Sequence, residues 1–129
     1  MSQFFTNSIV PALAEAVPKG RVVTLTGSLV GLAANATEAP FGISFDAGST
    51  GNTITVIKEG SVMADASGSI SIGQFVCASA DGDGKVIAIN PTTALTGSSY
   101  RYTVGQAQTA AVGGQVRIFA FSGLDPRRS

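Results

Sequence analysis

The chain has 129 residues, 8 basic and 8 acidic side chains, no His, no Trp, a single Cys and 16 Gly. That length gives one small domain with a real but modest core, and Gly, Ala, Ser and Thr together make up 60 of the 129 residues. A formal charge of zero leaves no clustered Lys and Arg for DNA, RNA or anionic lipid, so neither nucleic acid nor a membrane is expected as a partner.

In chain order, residues 1–19 come first and show no clear period. Residues 12–17 fit a short helix with Pro11 in its first turn, but an extended arm suits the whole segment better. Phe4, Phe5, Ile9 and Leu13 put large apolar groups on this arm, and we read them as a partner-binding set, the alternative being that the arm folds back and Phe4-Phe5 joins the protein's own core. The first five residues, Met-Ser-Gln-Phe-Phe, lack the basic and apolar regions of a signal peptide, so synthesis in a cytoplasm is expected.

Residues 20–123 then alternate short β-branched or aromatic runs with Gly, Asn, Asp and Ser punctuation, the pattern of an all-β sandwich or barrel. Strands are expected at 21–26, 29–33, 41–45, 53–58, 61–64, 74–78, 85–89, 100–107 and 115–121. Thr26-Gly27-Ser28 and Asp81-Gly82-Asp83-Gly84 supply tight hairpin turns. Cys77 lies in Phe75-Val76-Cys77-Ala78 and reads as a buried thiol. Residues 90–99 read as an exposed loop and 124–129 as a polar tail.

Gly42, Gly51 and Gly60 are spaced nine apart, and Gly105, Gly114 and Gly123 repeat that spacing 63 residues later. Upstream, Gly20-Arg21-Val22-Val23 matches Gly73-Gln74-Phe75-Val76 at an offset of 53, which puts about ten extra residues in the second half, near 90–99. One reading is duplication, with two similar four-strand halves closing on each other and leaving no free sheet edge. The other is that glycines recur at hairpin ends.

The chemistry of catalysis is thinly represented. Without His there is no Ser-His or Cys-His nucleophile and no His/Cys zinc site. Glu15, Glu38, Asp46, Glu59, Asp65, Asp81, Asp83 and Asp125 show no spacing that singles out a glycosidase pair. Asp81-Gly82-Asp83-Gly84 begins like a calcium loop but lacks its later ligands, and Gly48-Ser49-Thr50-Gly51 lacks the Lys of a phosphate loop. No catalytic residue, cofactor or metal is therefore expected.

Gly73-Gln74-Phe75-Val76, the Asp81-Gly82-Asp83-Gly84-Lys85-Val86 hairpin, and Tyr102-Thr103-Val104-Gly105-Gln106-Ala107 followed by Val112-Gly113-Gly114-Gln115-Val116-Arg117-Ile118 resemble the small capsid decoration, or cement, proteins of tailed bacteriophages. Gln74 stands where that family has an acidic residue, and the 90–99 loop is longer. The resemblance implies a β-barrel or β-tulip-like domain without catalytic residues. It also implies a place on the outer surface of the virion capsid, with the major capsid protein and copies of the chain itself, as dimer or trimer, for partners. A carbohydrate-binding or adhesin-type β module, with Tyr100 and Tyr102 at a sugar site, is the alternative; the absence of Trp weakens it.

Overall fold

The computed structural model describes residues 8–9, 12–26, 29–35, 39–89 and 102–124, and these are all β with no helix. Eleven strands form two sheets. The first contains β1 (Ser8–Ile9), β2 (Ala12–Leu13), β3 (Val22–Thr26), β4 (Leu29–Leu32), β5 (Gly42–Ser44) and β6 (Val56–Ile57), in the order β1-β6-β5-β3-β4-β2. The second contains β7 (Gly60–Asp65), β8 (Phe75–Ala78), β9 (Val86–Ala88), β10 (Tyr102–Ala107) and β11 (Gln115–Leu124), in the order β7-β11-β10-β8-β9. All nine expected strands are present, with ends shifted by a few residues. Residues 1–7, 90–101 and 125–129, which include the expected long loop and most of the expected tail, lie outside the described residues.

The two sheets are the same unit twice. Removing β2 leaves β1-β6-β5-β3-β4 against β7-β11-β10-β8-β9, with matching antiparallel pairings. Register agrees residue by residue: Val22↔Ile43 and Val23↔Gly42 become Phe75↔Gln106 and Val76↔Gly105. Likewise Leu25↔Val30 becomes Ala78↔Val86, and Ser8↔Ile57 becomes Ser61↔Phe119. Loop bonds follow, since Gly20 N–H donates to the Ser44 carbonyl at 2.7 Å and Gly73 N–H to the Ala107 carbonyl at 2.8 Å. Each unit therefore has five strands, not four.

These equivalences also locate the extra residues of the second unit. The offset is 53 at Val23/Val76, 56 at Val30/Val86 and 63 at Gly42/Gly105, so three insertions fall in the β8–β9 hairpin and seven between β9 and β10. The second and third glycine pairs of the nine-residue rhythm are not equivalent, since Thr53 matches Gln115 and Asn52 matches Gly114, which sets Gly51 against Gly113. Gly60 opens β7 and pairs with Ala120, whereas Gly123 lies near the end of β11 opposite Thr103.

Each unit closes on itself. In the first, Ser8–Ile9 lies beside β6 while Ala12–Leu13 runs parallel to β4, and Ala12 bridges Thr53 just before β6. In the second, β7 lies beside β11 and the next residue, Ala66, bridges Val86 of β9 in the same parallel sense. Closure removes free edges that would otherwise template aggregation. The expected small all-β barrel or sandwich of two similar halves is present, each half closing on itself and packing against the other.

Residues 12–19, expected in an arm, belong to this closure. Leu13 and Val17 are buried with Val23, Val30, Ile54 and Val56 in the interior of the first unit. Their spacing suits a helix face, but tertiary pairing overrides it: Leu13 N–H donates to the Asn52 carbonyl and Val17 exchanges backbone bonds with Gly48. Glu15 is tied down as well, accepting the N–H of Leu32 at 2.9 Å.

The units are joined through Gly20-Arg21-Val22, which threads between the end of β7 and the β8–β9 hairpin. Asp65 N–H donates to the Gly20 carbonyl at 2.8 Å and Val22 N–H to the Gly84 carbonyl at 2.7 Å. Arg21 Nε meets Asp65 Oδ2 at 2.8 Å, and its Nη1 donates to the Asp83 carbonyl at 2.8 Å. Behind this clamp, Val22, Ala33, Ile43 and Ile57 of the first unit form one core cluster with Val62, Ala64, Val76, Val104, Ile118 and Ala120 of the second. The sheet of the first unit is thus buried on both faces, which is why Val22-Val23 and Val56-Ile57 are apolar doublets. In the second unit strand β11 alternates, with Val116, Ile118 and Ala120 inward and Gln115, Arg117 and Phe119 outward.

Asp83 shapes the hairpin that receives Arg21. Its Oδ1 accepts from Lys85 N–H at 3.1 Å and Ser79 Oγ at 3.2 Å, while Gly82 and Gly84 take the positive φ of 80° and 74°. Burial works to raise the Asp83 pKa, but those two bonds and the charges of Lys85 and Arg21 outweigh it and hold the carboxyl below its ordinary 3.8.

Three outcomes are expected. A Cβ at Gly42 would sit 2.5 Å from Val56 Cγ1, and one at Gly105 would sit 2.6 Å from the Phe119 carbonyl, so Gly42→Ala and Gly105→Ala should each cost ~1–3 kcal/mol in urea unfolding. Near-neutral values at both would show that the strands can part. Leu13→Ala should lose ~2–5 kcal/mol; an unchanged melt would return this residue to an arm. Because the folded-state pKa of Asp83 is lowered, its contribution is present above 3.8 and is lost as pH falls through the folded value. The melting-temperature gap between wild type and Asp83→Asn should accordingly shrink well below pH 3.8, and a gap constant into acid would show that charge is not what stabilises the turn.

Candidate partner-binding surface

The four arm residues do not form one exposed set. Leu13 is 1% exposed in the first unit's interior, and Ile9 is held in β1 opposite Val56. Leu13 is thereby corrected to part of the protein's own core, since pairing of residues 12–13 with β4 draws it across the closure. Phe4 and Phe5 lie outside the described residues, as does Tyr100 of the alternative sugar site; Tyr102 is half-buried in β10.

The surface that stands out is the outer face of the second unit. Val22, Ile43 and Ile57 are 0–1% exposed beneath the second unit, and their equivalents Phe75, Gln106 and Phe119 have no such cover. Phe119 is 42% exposed; Met63 on β7 is 40% exposed and lies opposite Arg117, and Ile72, just before β8, is 70% exposed. Phe75 and Phe121 support this face from half-buried positions, edge to face with ring centroids 6.2 Å apart. Ser61 and Gln108 are joined by a side-chain hydrogen bond, and Gln106 Nε2 donates to the Gly73 carbonyl at 3.0 Å. The result is a mixed face in which Gln106 lies between Phe75 and Phe119.

The sequence held a signal for this face. In Gln115-Val-Arg-Ile-Phe-Ala, strict alternation places Phe119 with Gln115 and Arg117, an aromatic on an otherwise polar stripe. A second exposed apolar site is the β3–β4 hairpin, where Leu25 and Leu29 are 48% and 42% exposed.

A groove runs along the joint between the units, lined by Lys19, Gly20, Asp46, Met63, Asp65 and Gln115. Its carboxylates are committed to structure: Asp65 binds Arg21, and Asp46 accepts the Thr55 N–H at 3.3 Å. Among the described residues no group of three or more His, Cys, Asp or Glu side chains is placed to hold a metal ion. Cys77 is buried at 1% exposure, in keeping with its apolar run.

No protein-family model matches the chain, and no curated protein does. Among solved structures its fold is similar to the crystal structure of the head fiber gp8.5 N base in bacteriophage phi29, with a TM-score of 0.62, 16% identity, and coverage of 88% of this chain and 92% of that one. At that identity the likeness is one of fold, and coverage so nearly complete takes in both closed units.

Proposed function

We propose that this chain is a non-catalytic structural protein of a bacteriophage head, a decoration or cement protein that binds the outer surface of the capsid and bridges neighbouring capsomers. The observation that carries the reading is the end-to-end fold likeness to the head fiber gp8.5 N base of phi29. The resemblance of residues 20–121 to phage decoration proteins points the same way. The partner on this reading is the major capsid protein, and each copy is made in the host bacterial cytoplasm.

The mechanism is linkage. A protein that binds the assembled lattice but not its separated parts stabilises the lattice by RT ln(1 + [L]/Kd), about 2.7 kcal/mol per site when free protein is at 100 times Kd. Many modest sites on one shell add up through avidity. Phe4 and Phe5 remain in the proposal as anchors for the shell; Leu13, committed to the core, does not.

Sedimentation with empty heads and with unassembled major capsid protein tests this. Binding at least tenfold tighter to heads is expected, and equal binding to free subunits would overturn the reading. Phe4→Ser with Phe5→Ser should weaken head attachment at least tenfold, ~1.4 kcal/mol, while leaving the melting temperature unchanged.

A further inference from the structure

The joint between the two units has a direction. The outer face of the first unit is the side that inserts, and the β7 end and β8–β9 hairpin of the second are the side that receives. Since the units are equivalent, the second unit also carries an inserting face and the first a receiving end that, among the described residues, no second joint uses. We propose that copies of this chain join head to tail through these two surfaces, the second unit of one copy seating on the first unit of the next.

The residues correspond one to one. Lys19, Gly20, Arg21, Val22 and Ile57 of the internal joint become Ile72, Gly73, Gln74, Phe75 and Phe119 on the free inserting face. On the receiving side, Asp65↔Gln115 becomes Ala12↔Thr53, and the β8–β9 hairpin becomes the β3–β4 hairpin, with Ala78 and Lys85 matched to Leu25 and Leu29. Exposed apolar side chains are found on both free surfaces: Ile72 and Phe119 on one, Leu25 and Leu29 on the other.

Charge supports the pairing. Inside the chain, Arg21 on the inserting face meets Asp65 on the receiving end at 2.8 Å. In the proposed joint both members change together, Gln74 standing for Arg21 and Ala12 for Asp65, so neither half of that ion pair is kept without the other. A matched change on two surfaces that do not touch among the described residues is compatible with a contact between molecules. Such a contact is heterologous, and repetition either closes a ring or extends a fibre. It forms in the free protein and does not depend on attachment to a phage head.

The test uses the full chain in sedimentation-velocity runs across a concentration series. Wild type should self-associate, and Phe119→Glu on the inserting face or Leu29→Glu on the receiving end should each raise the dissociation constant at least tenfold. Mixing the two variants should restore one joint and give heterodimers that stop there, because each keeps the surface the other has lost. A wild type that stays monomeric throughout overturns the proposal; so does a Leu29→Glu variant that associates as wild type, which would indicate face-to-face packing of Phe119 surfaces. Melting curves identify any variant that fails to fold, and in that case a charge transplant decides. Gln74→Arg alone should weaken association at least threefold, while Gln74→Arg with Ala12→Asp should associate at least as tightly as wild type. Equal behaviour of single and double variants overturns the proposal.

Discussion

The burial of Val22, Ile43 and Ile57 beneath the second unit is the constraint on which the rest of the architecture depends. It gives the first sheet two interiors, its own and the shared one, and leaves the second sheet with one. It fixes the path of Gly20-Arg21-Val22, and with it the need for a carboxylate at 65 and a carbonyl at 83 to receive the guanidinium. The Arg21–Asp65 pair is mostly shielded, at 17% and 23% side-chain exposure, and losing either partner would leave a charge in a place built for two. Apolar contact supplies the cohesion, and the ion pair sets the orientation in which the units meet.

Duplication with divergence explains why two closed units of one topology differ in surface. The inward positions barely change: Val23, Val30 and Val56 are matched by Val76, Val86 and Ile118, all buried. The outward ones change in kind, from Val22, Ile43 and Ile57 to Phe75, Gln106 and Phe119, as expected when one copy is covered and the other faces solvent. Gly42 and Gly105 stay glycine because the same neighbouring strand, at Val56-Ile57 and at Ile118-Phe119, lies against the backbone in each unit. Close approach of the strands, more than turn geometry, fixes that residue.

Much of this was legible in the residues. Nine strands showed themselves through alternation and punctuation, and the repeat through Gly42/Gly105 and Gly20/Gly73. β1 and β2 did not, because a two-residue ladder has no period and Leu13 and Val17 are spaced as on a helix. The nine-residue glycine rhythm misled at its second beat, by one residue, and at its third, where Gly60 belongs to the strand that opens the next unit. The doublets Val22-Val23 and Val56-Ile57 marked a sheet covered on both sides, but which element covered it depended on docking between distant segments. Phe119 was readable as an outlier on a polar stripe; Leu25 and Leu29 were not, since an apolar hairpin flank looks the same in sequence whether covered or bare.

In each unit the opening strand lies against the closing one, Ser8 opposite Ile57 and Ser61 opposite Phe119. A chain leaving the ribosome therefore cannot complete its first unit until residue 57 has emerged, and until then the strands already made present bare edges to neighbouring chains. Such long-range closure slows folding relative to a hairpin-only topology. The second unit meets the same delay, but by then the finished first unit is tethered through only Lys58-Glu59, at high local concentration, and offers Val22, Ile43 and Ile57 as a surface on which to condense. Order of synthesis thus becomes order of assembly within a single chain, the earlier unit serving as template for the later one.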